Sequence, residues 1–470
     1  MAGAVLVRLS AVWEPVDAAS LAAFRVTFGV LMFVELSRYF LHGWIDAHYL
    51  QPEFLFKFYG LEWVAPWPGN GLYWHFAILL LLAAMVALGV LYRFTIAGLF
   101  LGFAYVFFLD QAQYLNHYYL LLSLAFILIF LPADREYSLR LTRQSTPPRV
   151  PRWSLWALRL QFEIVLLFAG LVKVNEDWLA GQPLGIWLSQ QAAVLPTGAV
   201  WFSNPGQAVV AAYAVLGLHL IGAPLLLWRR TRLAVFCIYT PFHLASSILF
   251  QIGIFPWITL AGTLLFFEPD WPRSIAARIG FFCVRPQASS ETLPMSRTSI
   301  LVVIPVTLFF VFQLVFPLRS LFYPGKVSWT HQGYDFSWRM KLDDKRSTAR
   351  FLVSDPKSGR RWEVNPKDHL GMRQVITTTN NPDMIIQFAH YLERLWMRRE
   401  GLAQVEVRAQ VMSSLNGRVP ALLIDPELDL TRVTRSWNHY DWILPLQSEP
   451  QLGKPAPHHC IGDARGDANR

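Results

Sequence analysis

The chain has 470 residues, of which 54% are hydrophobic and only 16% are charged, with a formal net charge of +9. About a quarter of the residues in soluble globular chains are charged, so this composition excludes an ordinary water-soluble protein. Apolar runs near the length of a bilayer span recur up to residue 317, which indicates a multi-span membrane protein within the lipid bilayer and no nucleic-acid partner.

Nine apolar segments are predicted to be helices, with residues 1–317 forming one transmembrane domain. Several are shorter than the roughly 20 residues of a full span, so tilted or partial crossings are expected. The first segment is expected to act as the insertion signal, because the apolar run before it is too short for a signal peptide. The segments lie near 19–41, 72–92, 94–110, 115–132, 153–173, 206–228, 231–249, 252–267 and 299–317.

Basic residues alternate between the loops. Loops 133–152, 229–232 and 268–298 are rich in arginine, whereas 42–71 holds only Lys57 and 174–205 holds no lysine or arginine. Because basic loops stay in the cytoplasm, this alternation predicts a cytoplasmic N-terminus and an extracytoplasmic C-terminal region, at the cell membrane if the protein is bacterial.

Residues 318–449 are predicted to form a small extracytoplasmic α+β domain, and 450–470 a disordered tail. Residues 351–364 read as two strands around a turn, and Asn381-Pro382 is a typical helix start. Strand alternation near 405–411, followed by Asn416-Gly417, predicts a hairpin. The expected fold is therefore mainly α: a polytopic bundle of about nine transmembrane helices followed by an α+β domain.

Ionisable residues inside apolar segments are functional candidates by default. The predicted topology places His117, Lys173 and His243 at one depth near the outer face, with Asn116 beside the first. Arg159 and Glu163 lie four residues apart and deeper, where they are expected to pair. For each histidine, the alternative is a hydrogen-bonded residue inside the bundle.

Lys173 has two interpretations. Its ammonium either snorkels from the helix end to water, or it is desolvated so that the neutral amine acts as a base. The three cysteines lie far apart, and neither an HExxH motif nor a phosphate loop occurs, so we predict no metal site. Any redox chemistry would then be carried by a bound organic molecule.

Several separated motifs resemble the vitamin K-dependent gamma-carboxylase family and its bacterial relatives, whose membrane domain is called horizontally transferred transmembrane (HTTM). The resemblance extends from about Asp17 to Leu446 and includes residues 17–25, 115–118, 169–178, 249–255, 268–272 and 329–340. It implies a lyase that oxidises vitamin K hydroquinone to the epoxide with O2 and uses this reaction to carboxylate glutamate in a peptide or protein with CO2.

The resemblance also implies roles for individual residues. Lys173 matches the family's base, and His117 and His243 match active-site histidines. The substrate-binding candidates are Asn116, Trp329, Tyr334, Trp338 and Arg159, although the three aromatic residues could equally belong to an interfacial belt or a domain core.

Two departures leave alternatives open. The outer loops lack the cysteines that form a disulfide in animal members, and the chain lacks their long C-terminal extension. A quinol epoxidase that does not carboxylate protein therefore remains an alternative. A non-enzymatic transporter or quinone-binding membrane protein is another, although no inverted repeat is evident.

Overall fold

The computed structural model describes residues 12–139, 148–194, 204–250, 252–280 and 297–447, so the predicted tail 450–470 lies outside the described residues. Each of the nine predicted apolar segments contains helix. The helices are Ala19–Leu41, Gly71–Leu88, Tyr92–Leu109, Asn116–Phe130, Trp153–Leu171, Pro205–Gly217 continuing to Leu226, Arg232–Phe250, Phe255–Leu264 and Arg297–Val315.

Seven helices in the described part of the chain are long and apolar enough to cross a membrane, which makes this an integral membrane protein. Asn116–Phe130 and Phe255–Leu264 are apolar but shorter. The predicted helical bundle is thus confirmed, whereas these lengths do not establish nine complete crossings. The helix that starts at Pro205 passes through a π-helical turn, Leu218–Gly222, before it ends.

Two short elements shape the loop after the Trp153–Leu171 helix. Glu176–Leu179 forms a single helical turn, and the Asn175 side chain caps it by accepting a hydrogen bond from Trp178 N. Leu184–Val194 then forms a helix. At the other end of the bundle, strands Pro15–Asp17 and Arg149–Pro151 pair in antiparallel fashion.

A four-stranded antiparallel sheet follows the bundle. Its strands stand in the order Arg361–Val364, Lys345–Ser354, Glu406–Leu415 and Ala421–Leu422. The helices Met372–Asn380 and Pro382–Glu400 pack on it around a common apolar core. Hereafter residues 345–447 are the sheet domain, and residues 323–344 are the connecting segment.

The turn and cap signals in the sheet domain are confirmed. The Asn381 side chain accepts from Asp383 N at 3.0 Å, and Gly401 ends the same helix with φ +65°. Asn416 and Gly417 have φ of +52° and +78°, the left-handed geometry of a hairpin turn. Each of these signals rests on residues adjacent in the chain.

The sheet domain docks on loops at one end of the bundle, which we call the site end. Side-chain hydrogen bonds join the two parts at three separated loops, so the docking is spread over a broad surface. The pairs are Lys57 with Gln387, Asp110 with Gln374, and Asp177 with Arg418. Among the described residues, Arg135, Arg152 and Arg232 lie near the ends of their helices that are opposite to the site end.

Candidate active site at the site end of the bundle

Lys173 lies two residues beyond the end of the Trp153–Leu171 helix, and its side chain turns back into the protein. Its Nζ donates to the carbonyl oxygens of Ala169 at 2.8 Å and Met340 at 3.2 Å. The residue is only 3% exposed, and the Trp178 ring centroid lies 5.0 Å from Nζ. The amine is thus enclosed rather than snorkelling to a surface, and burial lowers its pKa from 10.5 to about 7.

The connecting segment brings Lys173 and Asn116 together. Asn116 Nδ2 donates to the Arg339 carbonyl at 3.0 Å, and the next carbonyl, that of Met340, accepts from Lys173. Tyr114 donates from its hydroxyl to Asn116 Oδ1 at 3.1 Å, which fixes the amide orientation. Two predicted site residues from different helices therefore bind consecutive peptide units of the connecting segment.

Trp338, immediately before those carbonyls, is fully enclosed. Its ring stacks on Tyr119 with centroids 4.7 Å apart and an interplanar angle of 27°. Its backbone has φ +54°, and Phe336 and Lys341 have φ of +58° and +46°. Each non-glycine residue in a sparsely populated conformation costs about 1–3 kcal/mol, so the surroundings must hold this segment in place, as happens at functional sites.

His117 lies close to a polar network, formed by Arg38, Glu35 and Tyr118, that the sequence did not reveal. A methyl group built on Gly253 would be 3.7 Å from both His117 Nε2 and Arg38 Nη1, so all three groups are close. Arg38 pairs with the buried Glu35 at 2.8 Å, and Glu35 accepts from the Tyr118 hydroxyl at 2.9 Å. The Glu35 carboxylate is therefore hydrogen-bonded to Tyr118, the residue that follows His117 in the chain.

His243 is 1% exposed and packs among aromatic rings. It stacks on Tyr239 with centroids 5.5 Å apart, and Phe255 approaches it at 6.3 Å. Among the described residues neither of its ring nitrogens has a hydrogen-bond partner. A buried imidazole in this state requires an explanation, and recognition of a polar ligand is one.

His219 is a candidate that sequence reasoning missed. It lies in the π-helical turn, is 7% exposed, and its Nδ1 is 2.7 Å from the Val215 carbonyl. A methyl group built on Gly170 would lie 3.0 Å from His219 Cβ, so His219 packs beside the end of the helix that leads to Lys173. A histidine within an apolar span was the available signal, and π-helical turns often mark functional sites.

Arg159 does not join this cluster. Its guanidinium donates to the carbonyls of Leu265 at 2.8 Å and Phe267 at 3.3 Å, and Glu163 Oε1 has no hydrogen-bond partner among the described residues. The predicted Arg159–Glu163 pair is therefore wrong. Arg159 is also 14 residues before Lys173, which corresponds to about 21 Å along a helix. It caps the end of a neighbouring helix instead.

Trp329 and Tyr334 lie on the sheet-domain side of the connecting segment. Trp329 Nε1 donates to the Leu444 carbonyl at 2.7 Å within the domain core. Tyr334 stacks on His331 at 4.4 Å and donates to Asp343 at 3.5 Å, and burial raises its pKa well above 10. The contacts of Trp329 are those of a core residue, whereas Tyr334 belongs to a buried polar group.

The described residues contain no group of three or more histidine, cysteine, aspartate and glutamate side chains that could hold a metal ion. The candidate catalytic groups at the site end are an amine, imidazoles and an amide set among aromatic rings, with the Glu35 carboxylate close to His117. This arrangement can transfer protons to and from a flat, largely apolar molecule.

Bundle, sheet domain and enclosed lysine together define a polytopic membrane protein whose extramembrane domain completes the site. Comparison with known families agrees. A family model described as HTTM domain matches residues 13–271. A second, described as vitamin K-dependent gamma-carboxylase, lumenal domain, matches residues 298–449. The chain belongs to the vitamin K-dependent gamma-carboxylase family. No solved structure matches it.

Proposed function

We propose that the protein oxidises vitamin K hydroquinone, or a related quinol, with O2 at the site end of the bundle. The reaction then supplies the base that removes a γ-proton from a peptide glutamate, and the carbanion takes up CO2. The products are the epoxide, γ-carboxyglutamate and water, which takes up the second oxygen atom of O2. In this proposal the sheet domain is extracytoplasmic, in keeping with the description of its family as lumenal.

The observation that carries the proposal is the hydrogen bonding of Lys173. A neutral amine has two N–H donors and one lone pair, whereas an ammonium has three donors and no lone pair. The carbonyls of Ala169 and Met340 accept two bonds, which a neutral amine can satisfy completely while its lone pair stays available. The face of Trp178 favours the ammonium, but complete burial opposes the charge. Lys173 is therefore suited to take a phenolic proton near neutral pH.

The other residues would orient the quinol and exclude water. His243, packed against aromatic rings with free ring nitrogens, can hydrogen-bond one quinol oxygen. His117 lies beside the Glu35 network, which can carry a proton away. Trp338 and Tyr119 form a stacked aromatic wall that keeps the site dry. The isoprenoid tail would lie among the apolar spans, and a glutamate side chain would enter from the sheet-domain side.

Purified protein incubated with vitamin K hydroquinone, O2, labelled bicarbonate and a Glu-rich peptide tests this function. Epoxide and fixed label are measured separately, because epoxidation and carboxylation can be uncoupled. We expect both products. Epoxide without label would identify a quinol epoxidase. Absence of both products would reject the enzymatic proposal in favour of a quinone-binding or transport protein.

A further inference from the structure

Asp177 makes a buried connection to the sheet domain, four residues after Lys173. Arg418 donates to its two carboxylate oxygens, Nη1 to Oδ2 at 2.9 Å and Nη2 to Oδ1 at 2.6 Å. Asn416 Nδ2 adds a third bond to Oδ2 at 2.8 Å. Arg418 is 2% exposed and Asp177 is 5% exposed. Burial alone would raise the pKa of Asp177, but these hydrogen bonds hold it below its usual value.

The turn that carries Arg418 is itself fixed on the other side. Asn416 uses its amide oxygen to accept from Asp344 N at 2.9 Å, and its own N donates to the Asp344 carbonyl at 3.0 Å. A methyl group on Gly417 would lie 3.3 Å from Ile186, so the turn packs closely on the helix Leu184–Val194. The position of residues 415–418 is therefore determined from two directions.

Both flanks of Lys173 connect to this turn. On one flank, Trp178 follows Asp177 directly, presents its ring to Nζ at 5.0 Å, and is anchored by Nε1 donating to the Ala212 carbonyl at 2.9 Å. On the other flank, Met340 accepts from Nζ and lies four residues before Asp344. A displacement of the turn would therefore move both walls around the amine.

The connection acts through enclosure and not through a net charge. Among the described residues, the ion pairs near this flank are Asp177 with Arg418, and Glu176 with Lys326, which lies 3.1 Å from Glu176 and 3.6 Å from Asp177. On the other flank, Lys341 interacts with Asp344. These acids and bases cancel, and His219 faces Lys173 from the π-helical turn. A buried ion pair is weak evidence for net stability, but its bidentate geometry defines position well.

We infer that Asp177 and Arg418 are positioning residues: they fasten the sheet-domain turn to the Lys173 loop and so keep the amine enclosed. This inference rests on the proposed function for its catalytic meaning, although the enclosure can be measured without activity. Arg418→Gln loosens the turn and admits water to Lys173. Arg418→Lys keeps the charge but cannot hold both oxygens, so its effect is smaller. Because Arg418→Gln also leaves the Asp177 charge uncompensated, an effect that persists in Arg418→Lys is what separates lost enclosure from lost charge.

The test uses the full-length protein in detergent and two measurements. The first is the rate at which an amine-reactive reagent labels Lys173, followed by mass spectrometry. The second is the pH profile of epoxide formation. For Arg418→Gln we expect labelling at pH 9, where the amine is mainly neutral in both proteins, to be at least about tenfold faster. We also expect a rise of about one pH unit in the acid limb, since one unit is a tenfold change in neutral amine. Arg408→Gln is the matched control, because its pair with Glu406 stays on the same strand.

The outcomes separate this inference from the proposed function. If a folded Arg418→Gln protein is labelled at the wild-type rate and the acid limb of its pH profile does not move, the inference is overturned. This holds even if Lys173→Arg abolishes turnover. Lower turnover with an unchanged acid limb and an unchanged labelling rate would likewise assign Asp177 and Arg418 a purely structural role. Faster labelling of Arg418→Gln, together with no epoxide formation by the wild-type protein, would support the fastening and reject the proposed function. If Arg418→Gln does not fold, the same comparison is decided with Arg418→Lys.

Discussion

Replacing Lys173 by arginine separates a base from a structural cation. Arginine can reach the same carbonyl acceptors, but its guanidinium is not deprotonated in proteins. General-base catalysis contributes about 10²–10⁴-fold, so epoxide formation should fall by that factor, which corresponds to about 2.7–5.5 kcal/mol of activation free energy. The defect should appear in kcat, with KM for the quinol little changed.

The assay is the initial rate of epoxide formation at saturating quinol. Lys57→Arg is a matched control, because Lys57 Nζ also donates to two backbone carbonyls at the site end, those of Val64 at 2.6 Å and Leu109 at 3.0 Å. This control should keep near-normal turnover. Lys173→Ala should be as defective as Lys173→Arg, and a small added amine should restore part of its rate. Near-normal epoxide formation by folded Lys173→Arg protein would refute the base assignment.

Five further outcomes are expected. Wild-type epoxide formation should rise with pH through about 7, the lowered pKa of Lys173, and a flat profile from pH 5 to 9 would contradict this. That lowering also means the buried ammonium opposes folding below pH 10.5, most fully below about 7, so Lys173→Met should raise the melting temperature at neutral pH and not at pH 11. His219→Gln should slow epoxidation by at least about tenfold, with His75→Gln, a histidine bonded to the Gly102 carbonyl in another span, as the unaffected control. Trp338→Ala should slow epoxidation and carboxylation together, because its ring is part of the wall that keeps the quinol site dry, whereas loss of carboxylation alone would assign Trp338 to the peptide. A reporter that is active only outside the cytoplasm should be active when it is fused after Leu446, and one that is active only in the cytoplasm should not. The reverse result would invert the proposed topology.

Features that depend on neighbouring residues were predictable from the sequence. The nine apolar segments, the Asn381-Pro382 helix start and the Asn416-Gly417 turn each follow from local composition, and the structure confirms them. The common depth of His117, Lys173 and His243 stays a prediction. Lys173 and Asn116 meet the same stretch of the connecting segment.

Features that depend on distant residues were not predictable. Arg159 and Glu163 have ideal helical spacing, yet Arg159 is drawn to carbonyls more than a hundred residues away. Asp177 and Arg418 are 241 positions apart, and nothing local marks either as a partner of the other. A positive φ at Trp338 is likewise imposed by tertiary packing, because tryptophan has no preference for that conformation.

The bond between Lys173 and Met340 has a consequence for biosynthesis. These residues are 167 positions apart, so the lysine leaves the ribosome long before the connecting segment that covers it. Until the chain beyond Met340 has reached the same side of the membrane and folded, that flank of the amine has no cover and water can reach it. A nascent or truncated chain would thus already hold Lys173, His117 and His243 without a finished enclosure. Under the proposed function, quinol oxidation would begin only on a completed polypeptide, so reactive products would form only on molecules that also possess a sheet domain.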